Sequence, residues 1–146
     1  MPKSKFTYVT YIATTAETLW KALLDGEFTR QYWDRENVSD WQPGSEWEHR
    51  RADATRAIAI LGEVVAASAP NHLVITWAEP RDRGKRERHS RVTFDIGDMV
   101  RLTVTHDELE PGSDMERNIS RGWPRVLSSL KSLLETGRAL NTWAGN

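Results

Sequence analysis

Four histidines, His49, His72, His89 and His106, are the side chains best suited to proton transfer near neutral pH or to metal ligation. No two stand four residues apart, as sharing one helix face would require, and no His-Glu-x-x-His string occurs, so their spacing offers no metal centre. The chain has no cysteine, which removes thiolate zinc sites and disulfides together. There is no Gly-x-x-x-x-Gly-Lys loop to cradle phosphate and no Gly-x-Ser-x-Gly elbow. Phosphate-loop nucleotide hydrolysis and serine-esterase chemistry are therefore unsupported, and no cofactor is implied. His106 stands apart from the other three. It shares one face of an alternating run with Leu102 and Val104, at a strand end where a cavity mouth would lie. A histidine there can act as acid or base, or it can simply hydrogen-bond a neighbouring loop or carboxylate; the pattern leaves both open. Parity offers Glu48 and Glu63 as weak candidates for an opposing polar group. Asp107 points the other way and reads as a turn residue.

The second chemical resource is aromatic. Seven tryptophans occur in 146 residues: Trp20, Trp33, Trp41, Trp47, Trp77, Trp123 and Trp143. Each indole needs a large buried area and a partner for its N–H. They either fill a small core or wall a pocket. Trp33, Trp41, Trp47, Trp77 and Trp123 are the pocket candidates, with His106 as a polar handle. A cavity lined by indoles with few polar groups suits an aromatic or acyl ligand.

These residues need elements to hold them. Phe6–Ile12 alternates and is rich in aromatic and β-branched residues, which predicts a strand. Thr14 and Glu17 have capping-box spacing before Leu19, Trp20, Leu23 and Leu24, which recur as on a helix ending near Asp25-Gly26. A short helix follows over Phe28–Trp33. Strands are then predicted over Val38–Trp41, Glu46–Arg50, Ala57–Ala67, Leu73–Trp77, Arg91–Ile96 and Val100–His106, the last two joined by a tight turn at Gly97-Asp98. The run Ala57–Ala69 is unusually small-sided and would enlarge any cavity it faced. Ser113 and Glu116 again have capping-box spacing. Ile119, Trp123, Val126, Leu127, Leu130, Leu133 and Leu134 form one apolar stripe, closed by Gly137 as a C-cap. Pro124 falls inside that stripe. Either it kinks the helix and frees the Ser120 carbonyl, or the helix begins beside it. An antiparallel sheet with one long amphipathic helix must bury the helix stripe on a sheet face, which predicts an α+β architecture with the sheet curled around the helix.

Composition narrows the rest. The length suits one domain spanning 1–146, with an ordered core over about 5–138 and a loose tail over 139–146. The formal net charge is −1 with both signs mixed, so charge does not argue for nucleic acid. Glu79–Arg91 is rich in arginine but is interrupted by Glu79, Asp82 and Glu87 and carries no aromatic ring for base stacking, so it reads as a solvated loop. No stretch is apolar enough to span a membrane or to serve as a signal peptide, which gives cytoplasm as the expected location. An exposed Trp143 would offer a contact for a homodimer.

Strings along most of the chain carry a resemblance. Tyr8-Val9-Thr10-Tyr11-Ile12 through Thr18-Leu19-Trp20, Phe28-Thr29-Arg30-Gln31-Tyr32-Trp33, Ser39-Asp40-Trp41 with Gly44-Ser45, Leu73-Val74-Ile75-Thr76-Trp77 and Arg91-Val92-Thr93-Phe94 come in order. Leu102 through Asp107, Gly122-Trp123-Pro124 and Leu127 through Gly137 complete the series. The chain resembles the START-like (SRPBCC) superfamily. Within it, the chain is similar to bacterial proteins named for the C-terminal domain of the activator of heat shock protein 90 ATPase. The resemblance implies the helix-grip fold and sets the short helix of Trp33 over a cavity entrance. Members of the superfamily bind lipids, hormones, polyketides and other apolar molecules, and some are cyclases or hydrolases. A small hydrophobic ligand is thus the expected partner, with an enzyme in the same cavity or a co-chaperone-like interaction module as rivals.

Overall fold

The alternation read near the N-terminus is carried by strand β1, Ser4–Tyr11, whose residues alternate between the interior and solvent. Residues 2–140 are described by the computed structural model. After β1 come helices α1 (Ala16–Leu24) and α2 (Gly26–Trp33), then strands β2 (Arg35–Val38), β3 (Glu46–Arg51), β4 (Ile58–Ser68), β5 (His72–Trp77), β6 (Ser90–Gly97) and β7 (Arg101–Leu109). Helix α3, Asp114–Thr136, closes the order. The strands form one antiparallel sheet in the order β1-β7-β6-β5-β4-β3-β2. Register shifts in the β3–β4 and β4–β5 pairs bend and twist this half of the sheet, as bulges do. The sheet curves around α3 in a helix-grip arrangement.

Helix α3 is set by its sequence at both ends. Ser113 Oγ accepts from the Glu116 N–H at 3.1 Å, while Glu116 reaches back to the Gly112 N–H at 2.8 Å. Gly137 takes the left-handed conformation, φ 83°, and its N–H caps Leu133. Ile119, Trp123, Val126, Leu127 and Leu130 are buried against the sheet, each worth roughly 1.5–3 kcal/mol relative to exposure. Pro124 lies within this helix, not at its start. It withholds the N–H that the Ser120 carbonyl would otherwise receive.

Local side-chain bonds moved several boundaries. Thr15, not Thr14, caps α1, its Oγ1 accepting from the Thr18 N–H at 3.1 Å. Gly26 is not a left-handed cap but the first residue of α2, because Asp25 ends α1 and caps α2 through the Glu27 N–H. The strand expected over Val38–Trp41 ends at Val38. Ser39 Oγ bonds the Trp41 N–H and the Glu46 carbonyl, and Asp40 bonds the Gln42 N–H, so turns replace the ladder there. The connection after β6 takes in Asp98–Val100, with Met99 and Val100 at positive φ, rather than a two-residue turn. Asp107 stays within β7, bonded through both oxygens to Arg91 on β6. The Arg138 and Leu140 carbonyls accept from Ser132 and Ser129, so the chain doubles back along α3. Trp143 lies outside the described residues.

Candidate ligand-binding site

Five of the tryptophans converge between the sheet and α3. Trp33 ends α2, Trp47 lies on β3, Trp77 ends β5 and Trp123 projects from α3, with Trp41 in the loop before β3. Ring centroids are 5.4 Å apart for Trp33–Trp123 and Trp77–Trp123, 5.5 Å for Trp47–Trp77 and 6.2 Å for Trp41–Trp47. One continuous aromatic cluster results, and a cavity of about 430 Å³ opens beside it. Trp33, Trp77 and Trp123 border the cavity. Trp41 and Trp47 do not; they back the bordering rings from the β3 side.

Small residues line the space. Ala59, from the small-sided run on β4, borders the cavity. So does Gly122 on α3, where a Cβ would meet nothing within 4 Å. Gly62, also on β4, has a different task. A Cβ at that position would fall 2.0 Å from the Thr76 carbonyl oxygen and 2.6 Å from Trp47 Nε1. Its absence lets the Trp47 indole donate to Thr76 at 2.7 Å.

His106 is placed differently from the expectation. β7 continues to Leu109, so the ring is not at the strand end, and it is fully buried without bordering the cavity. Both nitrogens are engaged. The Trp123 indole, which can only donate, gives its N–H to His106 Nδ1 at 3.0 Å. The proton must therefore sit on Nε2, which donates to Ser90 Oγ at 2.8 Å, and Ser90 donates onward to the Trp77 carbonyl at 3.1 Å. Burial pushes the ring's pKa down to about 3, with only partial opposition from Asp107. Neither Glu48 nor Glu63 meets it: Glu48 pairs with Arg50 and Arg83, and Ser90 occupies the opposing position.

A second buried histidine was missed. His49, on β3 in phase with Trp47, borders the cavity and lies 4.4 Å from the Trp33 ring centroid. The Asn37 amide donates to the Leu23 carbonyl at 3.2 Å, which fixes the amide's oxygen toward His49 Nδ1 at 2.6 Å. Nδ1 must then carry the proton. Nε2 is left as a lone pair without a partner among the described residues. Burial, and then the charge of Arg35, holds this ring's pKa at about 3 as well. Arg35 borders the same cavity. Strand parity with Trp47 was the signal available for His49; judging histidines by mutual spacing hid it. Trp77 adds a buried indole N–H that has no acceptor among the described residues, and Glu79 and Asn118 also border the cavity. A second, more polar depression of about 390 Å³ shares Trp77, Glu79 and Met115 with the first.

A curved antiparallel sheet gripping a C-terminal helix, with an aromatic-walled cavity between them, defines a START-like protein. The chain belongs to the Activator of Hsp90 ATPase homolog 1-like protein family, whose model matches residues 13–135. Solved structures with the same fold include the Aha1 dimer of Colwellia psychrerythraea, at 16% identity and TM-score 0.74, covering 93% of this chain and 99% of that one. An HSP90 activator from Plasmodium falciparum matches at 20% identity and TM-score 0.68, covering 92% and 96%. The AHSA1 protein of Silicibacter pomeroyi matches at 23% identity and TM-score 0.68, covering 90% and 97%. No functionally curated protein is similar enough in sequence to match. Among the described residues no helix is long and apolar enough to cross a membrane.

Proposed function

We propose that this protein binds a small, largely apolar molecule carrying a flat ring in the cavity between sheet and α3. The observation that carries the reading is the cavity of about 430 Å³ walled by Trp33, Trp77 and Trp123. That volume lies within the range of small-molecule sites, roughly 300–1,000 Å³. A packed core would close such a space, because empty volume forfeits dispersion contacts on every wall. Here Ala59 and Gly122 keep it open. Trp77 has no indole hydrogen bond to lose by turning toward an acceptor on a ligand. Native mass spectrometry of the purified protein, followed by denaturing extraction, tests the reading. A co-purifying apolar molecule that is absent from a cavity-filled Gly122→Leu variant is the expected result. An empty protein that also fails to take up naphthalene-sized rings would overturn it.

Self-association is a second reading, supported by the dimeric Colwellia neighbour. In this chain β1 is an edge strand, and it leaves Val9 and Tyr11 half exposed. Sedimentation velocity with a Tyr11→Lys variant tests it: a dimer that the substitution dissociates is expected, and a concentration-independent monomer would exclude it.

A further inference from the structure

Resting on the ligand-binding reading above, we propose that the ligand is a hydroxylated aromatic, a phenol in the broad sense, whose hydroxyl donates to His49 Nε2. The hydrogen bonds around His49 leave no freedom about which way it acts. The Leu23 carbonyl can only accept, so it takes the Asn37 amide N–H and turns the Asn37 oxygen toward the ring. That oxygen can only accept, so the imidazole proton is on Nδ1. What remains is an acceptor on a buried ring that borders an apolar cavity and has no partner among the described residues. His49 borders the cavity, so a ligand that fills it and displaces solvent must supply a donor to this nitrogen or leave the acceptor unpaired at a cost. A ligand that offers only an acceptor would meet lone pair against lone pair.

Arg35 narrows the class further. It borders the same cavity, and its charge is felt at His49. An ammonium group would donate to Nε2 but would be repelled by the guanidinium, while the carboxylate that also borders the cavity, Glu79, is already paired with Arg81. An ionised carboxylate would suit Arg35 but has nothing to donate to Nε2. A hydroxyl does both with one oxygen, donating to the imidazole and accepting from the guanidinium. The tilted ring of Trp33, at 4.4 Å from His49, and the rings of Trp77 and Trp123 supply aromatic walls for the body of the molecule.

Tryptophan fluorescence titrations with three probes of one ring system test the proposal: 2-naphthol, 2-methoxynaphthalene and 2-naphthoate. The expected result is that 2-naphthol binds about tenfold more tightly than the methyl ether, the worth of one hydrogen bond to a buried acceptor. In His49→Phe, which keeps a flat ring but no acceptor, that preference should vanish. Because His49→Phe could itself unfold the protein, the same preference is read without any variant from the His49 ¹⁵Nε2 resonance. It should shift on adding 2-naphthol and stay in place on adding the ether. Equal affinity for naphthol and ether overturns the hydroxyl proposal and leaves the cavity reading standing. Tightest binding of 2-naphthoate overturns it in favour of an anion held by Arg35. Failure of all three probes to bind overturns both readings.

Discussion

Two histidines of this protein are buried in the same aromatic cluster, are held neutral by the same cause, and differ in what surrounds them. His106 belongs to the β6–β7 half of the sheet, where both of its nitrogens have partners: indole to imidazole, imidazole to hydroxyl, and hydroxyl onward to carbonyl. His49 belongs to β3, at the register shift against β4, where one nitrogen is fixed by Asn37 and the ring borders a cavity. A titratable group in a core is therefore not yet a site. What separates a structural imidazole from a candidate for ligand binding is whether its second nitrogen is already satisfied.

Removing each ring gives the largest test of that contrast. His106→Ala should cost about 3–5 kcal/mol, because it leaves the Trp123 N–H without its acceptor, frees the Ser90 hydroxyl and opens a void in a closed region. His49→Ala should cost only about 1–2 kcal/mol, since it breaks one bond beside space that already exists. Urea denaturation of the two variants checks the order, and equal losses would erase the distinction.

Acid should act on both rings alike. Each protonates near its ordinary value of 6.5 in the unfolded chain but only near 3 in the folded one. The unfolded state thus takes up the proton first. Stability is complete above pH 6.5 and falls as pH drops from there toward 3, by about 1.4 kcal/mol per pH unit for each ring. Denaturant midpoints between pH 7 and 5 measure this, and His49→Phe should halve the histidine part of the slope. A variant slope equal to that of the parent would mean that His49 is not held neutral.

The smallest expected effect on folding is at Gly122. Gly122→Leu places a side chain where nothing stands within 4 Å and exchanges a poor helix former for a good one. Stability should rise by up to about 0.8 kcal/mol, read as a higher melting temperature, while binding of 2-naphthol is lost. Retained binding would put the ligand elsewhere.

The sequence displayed the architecture because its signals are periodic and local. Alternation marked β1, β6 and β7, and the stripe from Ile119 to Leu134 with its Ser113 and Gly137 caps marked α3. Boundaries slipped where one side chain decides them: Thr15 rather than its neighbour, Asp25 serving two helices, Ser39 and Asp40 ending β2 early. The site was only half legible. All five candidate tryptophans join one cluster, but which of them border empty space depends on Ala59 and Gly122 lining one cavity in the folded chain, and they are 63 positions apart in sequence. His106 carried the right parity, but its satisfaction by Trp123 and Ser90 is a tertiary fact. His49 depended on Asn37, twelve residues away across the β2–β3 hairpin.

Long-range ¹H–¹⁵N correlation of the imidazole rings in the unliganded protein at pH 5.5 tests the central contrast most directly. The structure predicts two neutral rings of opposite tautomer, His106 protonated on Nε2 and His49 on Nδ1, with the His49 Nε2 showing the shift of a free acceptor. A cationic His49, or one protonated on Nε2, would contradict the account, because the open acceptor on which the cavity's chemistry rests would not exist.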